Sequence, residues 1–395
     1  MKKMKAAIKI IKQKVALDME EYSEIEDEVV ISSIEKHTFS YCEKEKINLY
    51  GIERLIKKIQ NDMLGFGVLQ PLFDNDSISE IMINGGKVFY EQNGRIFSSE
   101  ISIEEPGEFM KIIRTICRKS GRTVNAASPI TDACLDDGTR INIVLNPVSV
   151  DGHSVTIRKF PDKPITRYEL VWNSFISEDA MTFLENAFNS RYNLFICGGA
   201  GTGKTTLLNV LANCAGRSER IITIEDSAEL CIKSVKNIVR LEARRGNSEG
   251  GEITIRDLIR TSLRMRPDRI IVGEVRGKEA LDMLQAMNTG HEGSISTGHA
   301  NSCAELISRI ETMVMLGSDM PLTAVRNQII SAIDIVVCLS RNSHERYVSQ
   351  ICEILPGKTS NAELNVIFDY NHEKHRLYKK GDLVNTFKIM RHANV

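Results

Sequence analysis

The 395-residue sequence has no apolar run long enough to cross a bilayer, no closely spaced cysteine pair and a formal net charge of only −1, and each shortage removes a class of function. Its apolar runs, such as Ile335-Val336-Val337-Cys338-Leu339, fall far short of the roughly 18 to 20 residues a spanning helix needs. Any membrane role must therefore work through a partner or at the surface. The nine cysteines stand singly with no C-x-x-C spacing, which indicates neither a zinc ribbon nor a disulfide framework. Their odd count and apolar settings fit small core residues in a reducing compartment, the cytosol. The near-zero charge lacks the broad cationic field expected of a nucleic-acid coat. The opening MKKMKAAIKIIKQKVAL has a signal-like charge, but Lys9, Lys12 and Lys14 interrupt any apolar core, so cleavage is not expected.

What is present is texture that changes along the chain. A length of 395 residues predicts two or three domains. Residues 1–60 contain no proline and carry apolar residues at helical spacing (Ile52, Leu55, Ile56, Ile59), which predicts a helical segment. Its basic start and the acidic stretch from Asp18 to Glu28 read as a solvated helix pair with complementary ends rather than a membrane-surface helix. Residues 61–160 show short β-type runs (Glu80–Asn84, Val88–Tyr90, Arg95–Phe97, Arg140–Val144, Ser154–Arg158) broken by turns such as Asn93-Gly94, with one helix from Glu108 to Lys119. A small α+β domain is expected there. Pro161 and Pro164 mark a linker over 161–178. Beyond it, over 179–395, strand candidates Leu194–Cys197, Ile221–Ile224, Ile270–Val272, Gly293–Thr297 and Ile335–Leu339 alternate with helices, predicting an α/β unit with a mainly parallel sheet.

The first of those strands runs into Gly198-Gly199-Ala200-Gly201-Thr202-Gly203-Lys204-Thr205, a complete G-x-x-x-x-G-K-[ST] pattern followed by the helical run from Thr206. Glycines let successive N–H groups wrap a polyphosphate, and the helix start adds unpaired N–H donors and a positive dipole end. Lys204 is expected to reach the outer phosphates of ATP, and the Thr205 hydroxyl to sit on Mg2+.

A loop alone binds nucleotide without cleaving it, so an acidic residue near the terminal phosphate is needed. Two strand ends supply candidates: Glu225 and Asp226 after Ile221–Ile224, and Glu274 after Ile270–Val272. The usual magnesium-partner Asp is replaced by Gly273. Metal is then expected on Thr205, phosphate oxygens and water, with Glu274, Glu225 or Asp226 acting directly or through that water. His291 and His299 flank a short strand and are candidates to sense or polarise phosphates. Arg240, Arg244, Arg245, Arg256, Arg260, Arg264, Arg266, Arg269 and Arg276 cluster between the acidic segments; the plain reading of each is an ion pair with Glu242, Glu249, Glu252 or Asp257, the functional one stabilisation of phosphoryl charge.

Four segments in order carry a resemblance: the phosphate loop, Ile224–Leu230, Arg266–Gly277 and Thr289–Ser302. From about Asn61 to Glu353 the chain resembles the bacterial type II/IV secretion ATPase superfamily, in its Tad/Flp-pilus branch, where Gly at the position of Gly273 is typical. The resemblance implies a PAS-like N-terminal domain closing over a RecA-like ATPase domain, a homohexameric ring, and an inner-membrane platform protein as partner, with the ATPase cytosolic and peripheral to the membrane. It also implies that Arg140 and Arg158 approach the terminal phosphates. The zinc-binding tetracysteine of other branches is absent, and Gly298 replaces the apolar residue often found before the second histidine. Two competing readings remain: a nucleic-acid translocase, against which the near-neutral charge weighs, and a non-hydrolysing nucleotide-gated scaffold.

Overall fold

The computed structural model describes residues 2–19, 27–92, 94–103, 105–135, 137–160, 165–244, 251–342, 345–357 and 361–392. Asn93 of the expected turn, residues 20–26 of the acidic stretch, 161–164 of the expected linker, Arg245 and Glu249 lie outside them. The chain divides into two compact units, Met1–Asp162 and Lys163–Val395.

The first unit opens with helices α1 (Lys2–Met19), α2 (Asp27–Glu45) and α3 (Leu49–Met63). Ile8, Ile11 and Val15 of α1 recur every three to four residues and meet Ile34 of α2 and Leu55 and Ile59 of α3 in a small core of their own. One apolar stripe of α1 thus packs inside the protein, while Ile10 and Leu17 stay exposed. A short α4 (Gln70–Phe73) leads to β1 (Ile78–Asn84), β2 (Lys87–Gln92), β3 (Arg95–Ser102), α5 (Pro106–Ser120), β4 (Ile130–Cys134), β5 (Arg140–Val144) and β6 (Ser154–Arg158). These strands form one antiparallel sheet in the order β3-β2-β1-β6-β5-β4. Alternate residues of the central strands (Ile81, Ile83; Ile141, Ile143; Val155, Ile157) point to one core with Phe109, Ile112, Ile113 and Ile116 of α5.

In the second unit the order is α6 (Arg167–Trp172), α7 (Glu178–Asn189), β7 (Leu194–Gly198), α8 (Lys204–Ala212), β8 (Arg220–Glu225), β9 (Asn237–Glu242), α9 (Ile255–Ser262), β10 (Arg269–Val272), α10 (Glu279–Asn288), β11 (Ile295–Gly298), α11 (Cys303–Met315), α12 (Leu322–Ala332), β12 (Ile335–Arg341), β13 (Arg346–Pro356), β14 (Ala362–Asn371), β15 (Arg376–Lys379) and α13 (Phe387–His392). The sheet runs β15-β14-β13-β12-β7-β11-β10-β8-β9. From β12 to β9 the pairs are parallel, and from β12 to β15 antiparallel. Helices cover both faces, which explains the unbroken apolar runs: Leu194 and Ile196 enter one core, Phe195 and Cys197 the other. Parallel pairing brings the carboxyl ends of β7, β8, β10, β11 and β12 to one edge, where ligands of such sheets bind.

Candidate nucleotide site

Between β7 and α8 the chain takes left-handed backbone at Gly201 (φ 68°) and Gly203 (φ 99°). At 203 a β-carbon would also meet the Phe175 ring at 3.1 Å, so the tight turn needs glycine on two counts. No side chain caps α8, so the N–H groups of its first turn, at Lys204, Thr205 and Thr206, have no capping acceptor, the setting in which helix starts hold anions. Lys204 is buried, and its Nζ donates to the carbonyls of Gly198 (3.0 Å) and Gly199 (2.9 Å), while Thr202 Oγ1 donates to Gly199 O (2.9 Å). The lysine is thus held against its own loop, already stripped of most water. Burial lowers its pKa; Glu274 is the first of the charges that oppose the shift.

Glu274 lies two residues past β10 with its side chain 18% exposed. One oxygen is 2.8 Å from His299 Nε2, and the other accepts from Arg276 at 2.7 Å. Arg276 reaches on to Asp226 at 3.4 Å. The other ring nitrogen of His299 is 3.5 Å from Lys204 Nζ. Lys204, His299, Glu274, Arg276 and Asp226 thus form a continuous series of charged and polar groups; the Lys204 ammonium can only donate, so Nδ1 is the accepting nitrogen in its contact, while the Glu274 oxygen beside Nε2 is buried without a hydrogen-bond partner among the described residues. Burial would push the Glu274 pKa up, but the Arg276 hydrogen bond and the Arg276, His299 and Lys204 charges outweigh it and bring it below the usual glutamate value. Burial and the Lys204 charge hold the His299 pKa below its ordinary value. The arrangement keeps an ionised carboxylate next to the loop.

Glu225 occupies a different setting. It is buried, and its Oε1 accepts from the N–H of Glu229 (2.8 Å) and Leu230 (3.1 Å), closing the turn after β8. Its Cγ lies 3.1 Å from where a β-carbon on Gly273 would stand. A side chain at 273 would therefore press on Glu225, which would have to shift by a few tenths of an ångström to admit it. Thr297 Oγ1 donates to Gly273 O (2.7 Å) and fixes the same corner.

The remaining candidates divide. His299 follows β11 and joins the network; His291 precedes β11, at the opposite end of the sheet. About 13 Å of strand, four residues at ~3.3 Å each, separates those two ends, and the His291 carbonyl accepts from Ser294 Oγ, far from the loop. Within one chain the two histidines therefore stand at opposite edges of the sheet, His299 on the edge that carries the loop. The clustered arginines are corrected in their partners: Arg256 and Arg260 both bind Asp282 (2.7 Å each), the buried Arg269 binds Glu219 (2.6 Å), and Arg276 binds Glu274. The neighbouring Asp257 instead caps α9 with Thr254. For Arg256, Arg260 and Arg269 sequence proximity misled because helix and strand geometry aims these side chains at acids on other elements, whereas Arg276 pairs within its own loop. Arg140 and Arg158 are direct cross-strand partners on β5 and β6 of the first unit, with Glu80 opposite Arg158 on its other side. Arg276, whose signal was its place two residues after Glu274, is the residue that sequence reasoning undervalued.

No group of three or more His, Cys, Asp and Glu suited to a metal ion occurs among the described residues. Mg2+ is usually held by phosphate oxygens and water with one or two protein ligands, which the half-buried Thr205 hydroxyl in the first turn of α8 fits.

A family model described as type II/IV secretion system protein matches residues 62–363. The chain belongs to that family. It is 32% identical over 295 residues to a putative conjugal transfer protein of Mycobacterium tuberculosis, covering 73% of this chain and 83% of the relative. To the type IV secretion system protein VirB11 of Brucella suis it is 28% identical over 333 residues, 76% of this chain and 92% of that one. Among solved structures the fold matches the Legionella pneumophila ATPase DotB with a TM-score of 0.53 at 20% identity, covering 74% of this chain and 80% of that one. The pilus retraction motor PilT with bound ADP matches with a TM-score of 0.52 at 17% identity, covering 82% and 86%. The mixed α/β architecture of this secretion family member is that of an N-terminal domain and a RecA-like domain.

Proposed function

We propose that this protein is a Mg2+-dependent ATPase, working as a cytosolic homohexameric motor at the inner face of the cell membrane and powering assembly of a Tad/Flp-type pilus or protein export through an inner-membrane platform protein. The observation that carries the reading is the ionised Glu274 at the end of β10, bridged through His299 to the ammonium of Lys204 at the phosphate loop. When bound, ATP with Mg2+ supplies the phosphoanhydride that is cleaved and the cation that neutralises its charge. The amides of 199–206 hold the phosphates, and Lys204 leaves its loop carbonyls for the outer phosphate oxygens, exchanging one set of acceptors for another. Thr205 offers its hydroxyl to the metal. Glu274 orients water and accepts its proton, with His299 and Arg276 positioning the carboxylate. Glu225 supports this corner by filling the space beneath Gly273, with any contact to metal made through water. Arg140 and Arg158 approach the phosphates from the N-terminal domain, and movement of that domain about the 161–178 linker is the motor's output. His291 serves the opposite edge of the sheet.

Phosphate release by the purified full chain with Mg-ATP tests the reading. Lys204→Ala and Glu274→Gln should each abolish turnover, with only the first losing nucleotide binding. Absence of turnover by a verified hexamer would favour the non-hydrolysing scaffold instead. The conjugal transfer name of the Mycobacterium tuberculosis relative, and that of a Sinorhizobium fredii relative 31% identical over 306 residues, favour a second reading, a motor in a DNA-transfer machine. Hydrolysis stimulated by DNA with a steep salt dependence would select it; stimulation by anionic lipid or a membrane partner would select export.

A further inference from the structure

Beside the phosphate loop stands a pair of arginines that none of the roles above uses. Strand β12 runs parallel to β7 with Leu339 opposite Gly198, so the next two residues, Ser340 and Arg341, extend past the strand end and alongside the loop itself. Arg341 Nη1 lies 3.1 Å from where a β-carbon on Gly201 would be, which places the guanidinium directly on the loop's left-handed tip. Its cross-strand partner on β13 is Arg346. Directly opposed residues of an antiparallel pair share a face with β-carbons about 4.5–5.5 Å apart, where two like charges repel. Among the described residues no carboxylate lies within ion-pair distance of either; Glu345 of the same turn is engaged through its backbone with Asn342. This contrasts with Arg256, Arg260, Arg269 and Arg276, each neutralised by an acid of the same unit. Both arginines are exposed, so the pair faces the solvent side of the loop.

Two opposed cations without an acid, one of them touching a polyphosphate-binding loop, are stabilised when an anion is shared between them. We propose that Arg341 and Arg346 form a second cationic contact for the polyphosphate of the bound nucleotide, Arg341 binding phosphate oxygens from outside the loop tip while Lys204 binds them from within, and Arg346 reinforcing the local positive potential. The inference rests on nucleotide binding by the loop. It deepens that reading, because the contact strengthens with the number of phosphates and so favours nucleoside triphosphate over monophosphate. A planar guanidinium also provides two parallel donors that an ammonium lacks, so lysine at 341 restores only part of the affinity.

The test is equilibrium binding of Mg-ATP, Mg-ADP and AMP to the full chain, wild type beside Arg341→Ala, Arg341→Lys, Arg346→Ala and Lys204→Ala. A partly exposed charge-assisted contact predicts an affinity loss of about tenfold for Mg-ATP in Arg341→Ala, a smaller loss for Mg-ADP, none for AMP, partial recovery with lysine, and an effect that shrinks as salt rises. Wild-type binding of Mg-ATP that Lys204→Ala removes, together with unchanged affinities in Arg341→Ala, would overturn this inference alone. Equal losses for all three nucleotides would also overturn it, because the guanidinium would then be meeting base or ribose. Normal binding with lost self-association would make the pair a subunit contact and overturn it too. Wild-type protein that binds none of the nucleotides overturns the nucleotide reading beneath it. Circular dichroism and the thermal midpoint of each variant establish that the fold is intact.

Discussion

Restoring the missing acid at position 273 should damage the protein rather than improve it. A β-carbon at Gly273 would stand 3.1 Å from Glu225 Cγ and 3.6 Å from its Oε1. Glu225 has little room to retreat, since it is 4% exposed and its carboxylate closes the turn through the amides of Glu229 and Leu230. Gly273→Ala therefore overpacks a tight corner, at a cost of about 1–2 kcal/mol. Gly273→Asp adds a second carboxylate against a buried first one, and the charge repulsion and desolvation bring the total to roughly 3–5 kcal/mol. For a unit of about 230 residues, at on the order of 2–4 °C per kcal/mol, the thermal midpoint should drop by about 10 °C for Asp and a few degrees for Ala. Scanning calorimetry of the full chain, following the transition of the second unit, is the assay. In the double variant Gly273→Asp with Glu225→Gln, part of the loss should return, as a coupling of more than ~1 kcal/mol between residues in contact. An Asp variant as stable as wild type would refute the reasoning, because it would mean that the corner has room and that the glycine is there for another purpose.

Four further outcomes are expected. Glu219→Gln leaves the buried Arg269 without its charge partner and should cost about 3–5 kcal/mol in urea unfolding. Burial works to raise the Glu219 pKa, yet the Arg269 contacts prevail and hold it below 4.5; its contribution is thus complete above that unfolded value and disappears as pH falls through the lower folded one, a loss that a stability-versus-pH series on wild type and variant should show. His299→Ala should reduce kcat at least tenfold, whereas His291→Ala, at the other edge of the sheet, should stay within about twofold of wild type in the same phosphate-release assay. With the His299 pKa held below 6.5, protonation puts a second cation beside Lys204. Turnover should therefore fall on the acid side of that value, and the limb should vanish in His299→Gln. Glu353→Gln should loosen the chain end, because that buried carboxylate accepts from the amides of Val384 and Asn385 and from Asn365; faster hydrogen exchange confined to 384–392 would register it.

Much of the fold was legible because its signals are local. The five parallel strand candidates lie within β7, β8, β10, β11 and β12 to within two residues, since a strand buried on both faces must be apolar throughout. Antiparallel β13 and β14 were missed: their burial is mixed along the strand and their partners lie on the β12 side of the sheet, so neither a clean alternation nor a solid apolar run announces them. β9, at the opposite edge, has no buried residue and gives the same ambiguity.

For the candidate site the division follows range. A phosphate loop is a backbone conformation written in consecutive residues, so Gly198–Thr205 declared itself, as did an acid at each of two strand ends. Which acid faces the loop was not written there. That Glu274 meets His299 while Glu225 is bound to backbone amides, that Glu225 lies against Gly273, and that Arg341 rests on Gly201 all depend on strands placed side by side by the packing of two cores. The sequence by itself determined the pieces, because glycine backbone, strand burial and helix starts are set by near neighbours. Only the tertiary structure decided their partners, because side chains separated by tens to more than a hundred residues meet through sheet order and register, which no local pattern encodes.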